Sequence, residues 1–210
     1  MTNKKLSKLT KSKDRVEKHG EVFTPKHTVQ NMVGLVEEES YRIDSRFLEP
    51  ACGNGNFLKI VLERKFQTVK KKYHKSEYEK KHFALFSLMC IYGIELLEDN
   101  VEECRDVLLS LYKDFLLINE SSDWYKAGKN VLNLNIIHGD ALTIQTINGK
   151  PIEFPEWSYL GAGKYQRRDF KFENLTERSS FKNTLFELLE EDQLFTPTKT
   201  HASMLVKDIK

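Results

Sequence analysis

The chain has 210 residues, of which 40% are hydrophobic and 11% aromatic, enough apolar side chains to exclude disorder along the whole chain. A formal net charge of +2 excludes a protein coated throughout with basic residues, although local basic patches remain compatible with it. The sequence has no apolar run of the ~18 residues that a membrane span needs, and its basic amino terminus lacks the apolar core of a signal peptide. We therefore expect a cytoplasmic protein with no membrane partner.

The cysteines give no sign of a metal centre or of a disulfide framework. Cys52, Cys90 and Cys104 are an odd number and form no CxxC pair. Reduced thiols agree with a cytoplasmic setting, and no metal is expected.

A basic segment opens the chain. Residues 1–19 are rich in Lys and Arg and poor in large apolar side chains. We predict a flexible basic arm, which either contacts a polyanion or is a solvated tail without a partner.

From Thr24 to Leu142 the sequence alternates between helix-like and strand-like patterns. After Thr24, the predicted N-cap, and Pro25, the predicted first helical residue, apolar side chains recur at helical spacing. The segments that follow are, in order, a strand in SRFLEP, a helix in NFLKIVLERKF, a strand in CIYGIEL, a helix in EDNVEECRDVLLSLYKDFL, a loop in SSDWYKAG and a strand in LNIIHGDAL. This alternation predicts an α/β fold with a parallel sheet covered by helices, whose ligands bind at the carboxyl ends of the strands.

Beyond Leu142 the pattern is less regular. IQTINGKPIEF predicts a hairpin that turns at Asn148 and Gly149, and KYQRRDFKFENL predicts a strand. SSFKNTLFELLEED has the capping serine and the apolar stripe of a helix.

The segment FLEPACGNGNFL carries the strongest chemical signal. A strand delivers Glu49 and Pro50 to a turn that contains Gly53 and Gly55, and a helix follows directly. Glycines let a ligand approach the backbone closely, and the amino end of a helix offers free N–H groups. A dinucleotide motif would need a third glycine where Leu58 stands, which argues against NAD and FAD. An acidic residue at the strand tip also suits a cationic or hydroxyl-bearing ligand better than a pyrophosphate.

This string resembles the first motif of S-adenosyl-L-methionine-dependent DNA methyltransferases of the adenine-N6 type, acidic-Pro-x-Cys-Gly-x-Gly-x-Phe-Leu. Three further segments stand in the order of that family, with GEVFTP before the string and YGIEL and IIHGDAL after it. The resemblance covers about residues 20–142. It implies an α/β fold with a Rossmann-like methyltransferase sheet and helices on both faces.

The resemblance assigns a cofactor pocket to residues of all four segments. Glu95 would accept hydrogen bonds from the ribose hydroxyls of S-adenosyl-L-methionine, and Asp140 would accept one from its exocyclic amine. Both acidic residues also have a plain structural interpretation, as a helix cap or as part of a turn. The full predicted set is Thr24, Pro25, Glu49, Pro50, Ala51, Cys52, Gly53, Asn54, Gly55, Phe57, Glu95, Leu96, Asp140 and Ala141.

The catalytic motif of that family, Asn/Asp/Ser-Pro-Pro-Tyr/Phe/Trp, is missing, because no two of the five prolines are adjacent. At about its place stands EFPEWSYLG. In this segment Trp157 or Tyr159 could stack on a flipped base, and Glu156 could accept a hydrogen bond from it. The alternative is an irregular surface segment with an aromatic anchor.

Several basic segments are compatible with DNA as a partner. Besides the arm, residues 64–82 and the string KYQRRDF could contact phosphates. Each of them can also be a solvated face.

The sequence thus predicts a basic arm at 1–19, an S-adenosylmethionine-binding domain at 20–145 and an atypical carboxyl-terminal extension at 146–210 that completes or covers the sheet. Few residues follow Leu142, so we expect a truncated or atypical methyltransferase. The function that the resemblance implies is methyl transfer to the exocyclic amine of adenine in DNA, as in restriction-modification systems. The alternative is a non-catalytic cofactor-binding module, or the amino-terminal part of a split methyltransferase that needs a partner chain.

Overall fold

The computed structural model describes residues 10–173 and 196–209. The helices with both ends in these ranges are α1 (Lys13–His19), α2 (Lys26–Gly34), α3 (Glu37–Tyr41), α4 (Asn56–Lys72), α5 (Glu77–Met89), α6 (Glu98–Leu116) and α7 (Asp123–Asn135). The strands are β1 (Phe47–Glu49), β2 (Ile91–Glu95), β3 (Ile136–Asp140), β4 (Gln145–Thr146), β5 (Glu153–Gly161), β6 (Lys164–Lys171), β7 (Lys199–Thr200) and β8 (Met204–Leu205). The helix predicted in SSFKNTLFELLEED lies outside the described residues. None of the described helices is both long and apolar enough to cross a membrane.

Strands β1, β2 and β3 form a parallel sheet in that spatial order, and β4 joins β3 in the antiparallel direction. Phe47 pairs with Ile91, and Gly93 pairs with Ile136, so the three strands end at one edge of the sheet. Helices α4 and α5 connect β1 to β2, and α6 and α7 connect β2 to β3. Strand β2 is buried along its whole length, as expected for a parallel strand covered on both faces. The predicted α/β alternation is confirmed.

The two faces of the parallel sheet are covered differently. Ile91 belongs to the main core, which side chains of α2, α4, α5, α6 and α7 fill. Tyr92 and Ile94 point to the other face, where they join a second cluster that includes Ile152 and Phe154. In the described ranges, this second face is covered by strand and loop residues and by Phe172, which follows β6. The helices α4 to α7, which connect the parallel strands, do not cover it. All four helices that connect the parallel strands pack on one side, and the prediction of helices on both faces stays a prediction.

A second, antiparallel sheet follows. Strands β5 and β6 form a long hairpin, and the short strands β7 and β8 both pair with β6. Three residues of the hairpin turn, Gly161, Ala162 and Gly163, have positive φ angles of 82°, 47° and 76°. The strand predicted in KYQRRDFKFENL is confirmed as β6. The earlier turn predicted at Asn148 and Gly149 is present too, with a φ of 74° at the glycine.

The hairpin is fixed to the amino end of the parallel strands. Trp157 Nε1 donates to Asn135 Oδ1 at 3.1 Å, and Asn135 Nδ2 donates to the carbonyl oxygens of Met89 and Ile91. Asn135 directly precedes β3, and Ile91 begins β2. The hairpin therefore contacts the end of the sheet that lies opposite the carboxyl ends of the strands.

The prediction of Thr24 as an N-cap is wrong by one residue. Helix α2 begins at Lys26, and its N-cap is Pro25, which makes no side-chain capping bond. The carbonyl oxygen of Pro25 accepts the N–H groups of Thr28 and Val29, so the first helical bonds start there.

The prediction of a loop in SSDWYKAG is also wrong, because this segment begins α7. Ser122 is the N-cap, and its hydroxyl accepts the Tyr125 N–H at 3.2 Å. Gly128 suggests a loop in the sequence, but in the helix it makes room for Tyr112. A Cβ at that position would lie 2.7 Å from the Tyr112 ring. Packing between α6 and α7 therefore explains a glycine inside a helix.

Candidate functional site

A cavity of about 630 Å³ lies at the carboxyl ends of β1, β2 and β3, a volume typical of small-molecule sites. Residues from all four predicted motif segments line it. The predicted cofactor residues among them are Thr24, Glu49, Pro50, Ala51, Cys52, Gly53, Asn54, Phe57, Glu95, Leu96, Asp140 and Ala141. Pro25 and Gly55 belong to the predicted set but do not line the cavity.

The loop between β1 and α4 forms one wall of the cavity. Gly53 has a φ of 51°, in the left-handed region that favours glycine, and a Cβ there would lie 3.5 Å from the ring of Phe23. At Gly55, with a φ of 85°, a Cβ would lie 2.8 Å from Cys104 Sγ. Glycine at this second position therefore lets α4 begin close to α6, although it does not face the cavity.

Glu95 ends β2, and only 9% of the residue is exposed. Its Oε2 accepts the Gly53 N–H at 2.8 Å, and its Oε1 accepts the Leu97 N–H at 3.0 Å and lies 3.5 Å from Asn100 Nδ2. These donors carry no charge, so an ionised Glu95 presents an uncompensated negative charge. Because a carboxylate oxygen accepts about two hydrogen bonds, Oε2 keeps room for a donor from a ligand.

Two further carboxyl groups stand at the ends of the neighbouring strands. Asp140 Oδ1 accepts the Leu142 N–H at 2.8 Å, which holds the loop after β3 in a local turn. Glu49 Oε1 accepts the Ala51 N–H at 3.4 Å. Burial raises the pKa of Glu49, and the bond from Ala51 opposes this shift only in part.

Charge is the chemical feature that distinguishes the cavity. Among the described residues, four carboxyl side chains line it, from Glu21, Glu49, Glu95 and Asp140, whereas no Lys, Arg or His side chain does. Apolar side chains, including those of Phe23, Met32 and Leu96, complete the lining. This combination suits an apolar ring system that carries hydroxyl, amine or cationic groups, and it disfavours a phosphate. In the described part of the chain, no group of three or more His, Cys, Asp or Glu side chains is arranged to hold a metal ion.

Sequence reasoning missed several cavity residues. Glu21 and Phe23 lie in the GEVFTP segment, so the motif itself was the available signal, and Met32 lies on the predicted helical stripe. No pattern in the sequence marks Asn100 as a cavity residue, because it contacts Lys11 and Glu21, which are distant in the sequence.

Glu156, Trp157 and Tyr159, the weak catalytic candidates, do not line the cavity. Trp157 is 2% exposed and is held by the bond to α7 described above. Tyr159 stacks on His82 with 5.3 Å between ring centroids, and Glu156 pairs with Arg168. These three side chains therefore contact other parts of the molecule, and the role predicted for them toward a flipped base stays a prediction. The alternating pattern of the segment builds β5, in which Trp157 contacts the amino end of β3 through Asn135.

The fold and the cavity define an α/β protein with a cavity of small-molecule size at the carboxyl ends of its parallel strands. The family model of the N-6 DNA methylases matches residues 6–110, which include GEVFTP, the glycine loop and Glu95. The chain therefore belongs to the N-6 DNA methylase family. Comparison with curated proteins and comparison with solved structures both gave no match.

Proposed function

We propose that the chain binds S-adenosyl-L-methionine in this cavity and acts in methyl transfer to the exocyclic amine of adenine in DNA. We further propose that β1, β2 and β3 are part of a Rossmann-like methyltransferase sheet. The observation that carries the proposal is the lining of the cavity, with carboxylates at the tips of β1, β2 and β3 and, within the part of the chain that the structure describes, no basic side chain. Membership of the N-6 DNA methylase family supports the reaction class.

The donors and acceptors of the cavity fit this cofactor. Its sulfonium and ammonium groups are cations, and its ribose and adenine offer hydroxyl and amine donors that carboxylates accept. The first turn of α4, at Asn56 and Phe57, has N–H groups without an acceptor inside the helix, and these suit the carboxylate of a methionine moiety. Phe23 and Leu96 offer apolar surface for the adenine.

In this function the side chains position the reactants and exclude water. The cofactor, when bound, supplies an electrophilic methyl group. Glu95 accepts the ribose hydroxyls, Asp140 accepts the exocyclic amine of the cofactor, and Phe23 covers the glycine loop against solvent. Fixing the cofactor in one orientation in a cavity shielded from water is the contribution of this part of the protein to the rate.

Calorimetry tests the cofactor assignment. We expect S-adenosylmethionine to bind the folded protein, and ATP, which shares the adenosine but carries phosphates, to give no measurable binding. Glu95→Gln should weaken cofactor binding by about 1–3 kcal/mol, because a charged acceptor is lost. Glu102→Gln, on an exposed position of α6, is the matched control and should bind like the wild type. Absence of cofactor binding by the folded wild type, or equal binding of ATP, would overturn the proposal.

A second candidate is a cofactor-binding part that another polypeptide completes. The observation that favours it is the position of β5, because the aromatic side chains predicted to stack on a base are packed at the opposite end of the sheet. Transfer of labelled methyl groups to adenine in mixed-sequence DNA separates the two candidates. Transfer by the chain alone supports the first, whereas cofactor binding without transfer supports the second.

A further inference from the structure

Asn100 lies between two carboxylates of the cavity. It stands in the first turn of α6 and is 1% exposed. Its Nδ2 donates to Glu21 Oε1 at 2.6 Å and lies 3.5 Å from Glu95 Oε1. Its Oδ1 accepts from Lys11 Nζ at 2.7 Å. The amide group of this one side chain thus connects the basic segment at the amino end of the chain with Glu95.

Arg15 fixes the other carboxylate of this arrangement. Its Nε and Nη2 donate to the two oxygens of Glu21 at 2.6 and 2.7 Å, and its Nη1 and Nη2 donate to Asp99 at 2.8 and 3.0 Å. Such two-pronged bonds fix both distance and orientation. The bonds from Arg15 are the main reason that the pKa of Glu21 is lowered and that the pKa of Asp99 falls to about 2.

Lys11 and Arg15 of this segment are therefore engaged inside the molecule. Lys11 pairs with Asp99 at 2.9 Å and with Glu103 at 2.7 Å, in addition to its bond with Asn100. Helix α1 ends at His19, and residues 20–24 continue from it as one wall of the cavity. A contact of Lys11 or Arg15 with DNA phosphates would first have to break these bonds.

We infer that Asn100 is a positioning residue for Glu95 and that helix α1 holds it in place through Arg15 and Glu21. Glu21 and Glu95 carry like charges, and both approach the Asn100 amide. A side chain with two N–H donors between them gives each a partner and fixes the direction in which the Glu95 oxygens point. The basic segment thus stabilises the cofactor cavity. The inference rests on the proposed role of Glu95 as acceptor of the ribose hydroxyls.

The experiment compares adenosine with 2′,3′-dideoxyadenosine, which lacks both hydroxyls, as ligands of the full chain. Both nucleosides are titrated into four proteins, which are the wild type, Asn100→Asp, Arg15→Gln and the control Asp106→Asn. Asp106 is an exposed position of α6. Asn100→Asp keeps the shape of the side chain but replaces the donor with a third acidic group. We expect it to reduce the preference for adenosine over the dideoxy analogue at least threefold, and Arg15→Gln to reduce this preference by a smaller factor. Asp106→Asn should keep the wild-type preference.

The ratio of the two affinities separates positioning from stability. If Asn100 had a merely structural role, Asn100→Asp would weaken the binding of both nucleosides equally and leave the ratio of their affinities unchanged. That result would overturn the inference about Asn100 but not the proposed function. A wild type that binds S-adenosylmethionine without preferring adenosine would overturn the role of Glu95, and the inference with it. Circular dichroism melts identify variants that fail to fold. If Asn100→Asp fails to fold, Asn100→Ser, which keeps a small polar group, replaces it, and we expect the same loss of preference.

Discussion

Glu49 is the residue at which burial and charge act against each other most directly. It stands at the carboxyl end of β1, and burial raises the pKa of its carboxyl group above the ordinary value. The half-buried side chain therefore binds a proton more tightly than a solvated glutamate does. A cation placed next to it would favour the ionised form and lower that pKa again.

We predict that cofactor affinity depends on pH through Glu49. Because a cationic ligand binds the ionised carboxylate, affinity should rise as the pH rises through the pKa of Glu49 in the free protein and fall as the pH falls through it. This window lies above the pKa of an ordinary glutamate, because burial raises the pKa of Glu49. Calorimetry with S-adenosylmethionine between about pH 5 and pH 7 measures this dependence.

Glu49→Gln is the comparison for this measurement. It keeps Glu21, Glu95 and Asp140, so any change in pH dependence belongs to Glu49. The variant should bind more weakly at pH 7 and with a flatter pH profile. Parallel profiles of wild type and variant would contradict the assignment.

At the scale of single elements, helix α6 ends in an unusual way. Leu117, its C-cap, has a φ of 53° and is 88% exposed, so a large apolar residue holds the left-handed conformation that glycine normally takes. A side chain in this region costs about 1–2 kcal/mol, and the solvent-exposed Leu117 gains little from packing.

Leu117→Gly should therefore stabilise the protein by about 0.5–1 kcal/mol. Glycine removes the conformational cost of the positive φ, and this gain exceeds the loss caused by the larger conformational entropy of the unfolded chain. Leu117→Ala keeps the positive φ with a Cβ, and we expect it to change stability little. Urea denaturation measures both. Equal stability changes for the two variants would show that the backbone conformation is not the cause.

Hairpin β5–β6 is expected to be structural. Trp157→Phe keeps an aromatic ring in the core but leaves Asn135 Oδ1 without its donor, at a cost of about 1–3 kcal/mol in free energy of unfolding. Cofactor affinity of the folded variant should remain that of the wild type. Tyr159→Phe is the matched control in the same strand, because the bond that its hydroxyl accepts from the Gly163 N–H is long, at 3.4 Å. Unchanged stability of Trp157→Phe with loss of methyl transfer would instead support base stacking.

Local patterns predicted most of the elements, and tertiary contacts explain the exceptions. The strands around Leu48, Ile94 and Ile137 are short apolar runs that end in turn residues, so the sequence is sufficient to recognise them. Helix α7 was missed because Gly128 is compatible with a helix only through its contact with Tyr112, on another helix.

In the site, too, the residues marked by local sequence patterns could be predicted, whereas the contacts between residues distant in the sequence could not. The glycine loop, Glu95 and Asp140 follow strands in a recognisable order, so their meeting at one sheet edge could be predicted. The bonds of Lys11 and Arg15 to α6 join residues more than eighty positions apart, and their charges alone predicted a mobile arm. The position of Trp157 was likewise unpredictable, because it depends on its bond with Asn135 at the amino end of β3.

At the scale of the whole molecule, the parallel strands follow one another in a single direction. In open α/β sheets ligands bind where the strand order reverses, yet here β1 forms the edge of the sheet among the described strands, and Leu48 is 37% exposed there. The cavity thus lies beside an edge at which a further strand would create that reversal. This arrangement agrees with the second candidate function, in which another polypeptide contributes to the active enzyme.

The lining of the cavity by acidic groups also has a consequence for turnover. In the proposed reaction the sulfonium cation becomes a neutral thioether once its methyl group has left, so the attraction that drew the ligand in weakens at the moment of transfer. The spent ligand should leave more readily than the fresh one, and a fresh molecule should displace it even when both are present at similar concentrations. The carboxyl groups that line the cavity would then limit inhibition by the spent ligand.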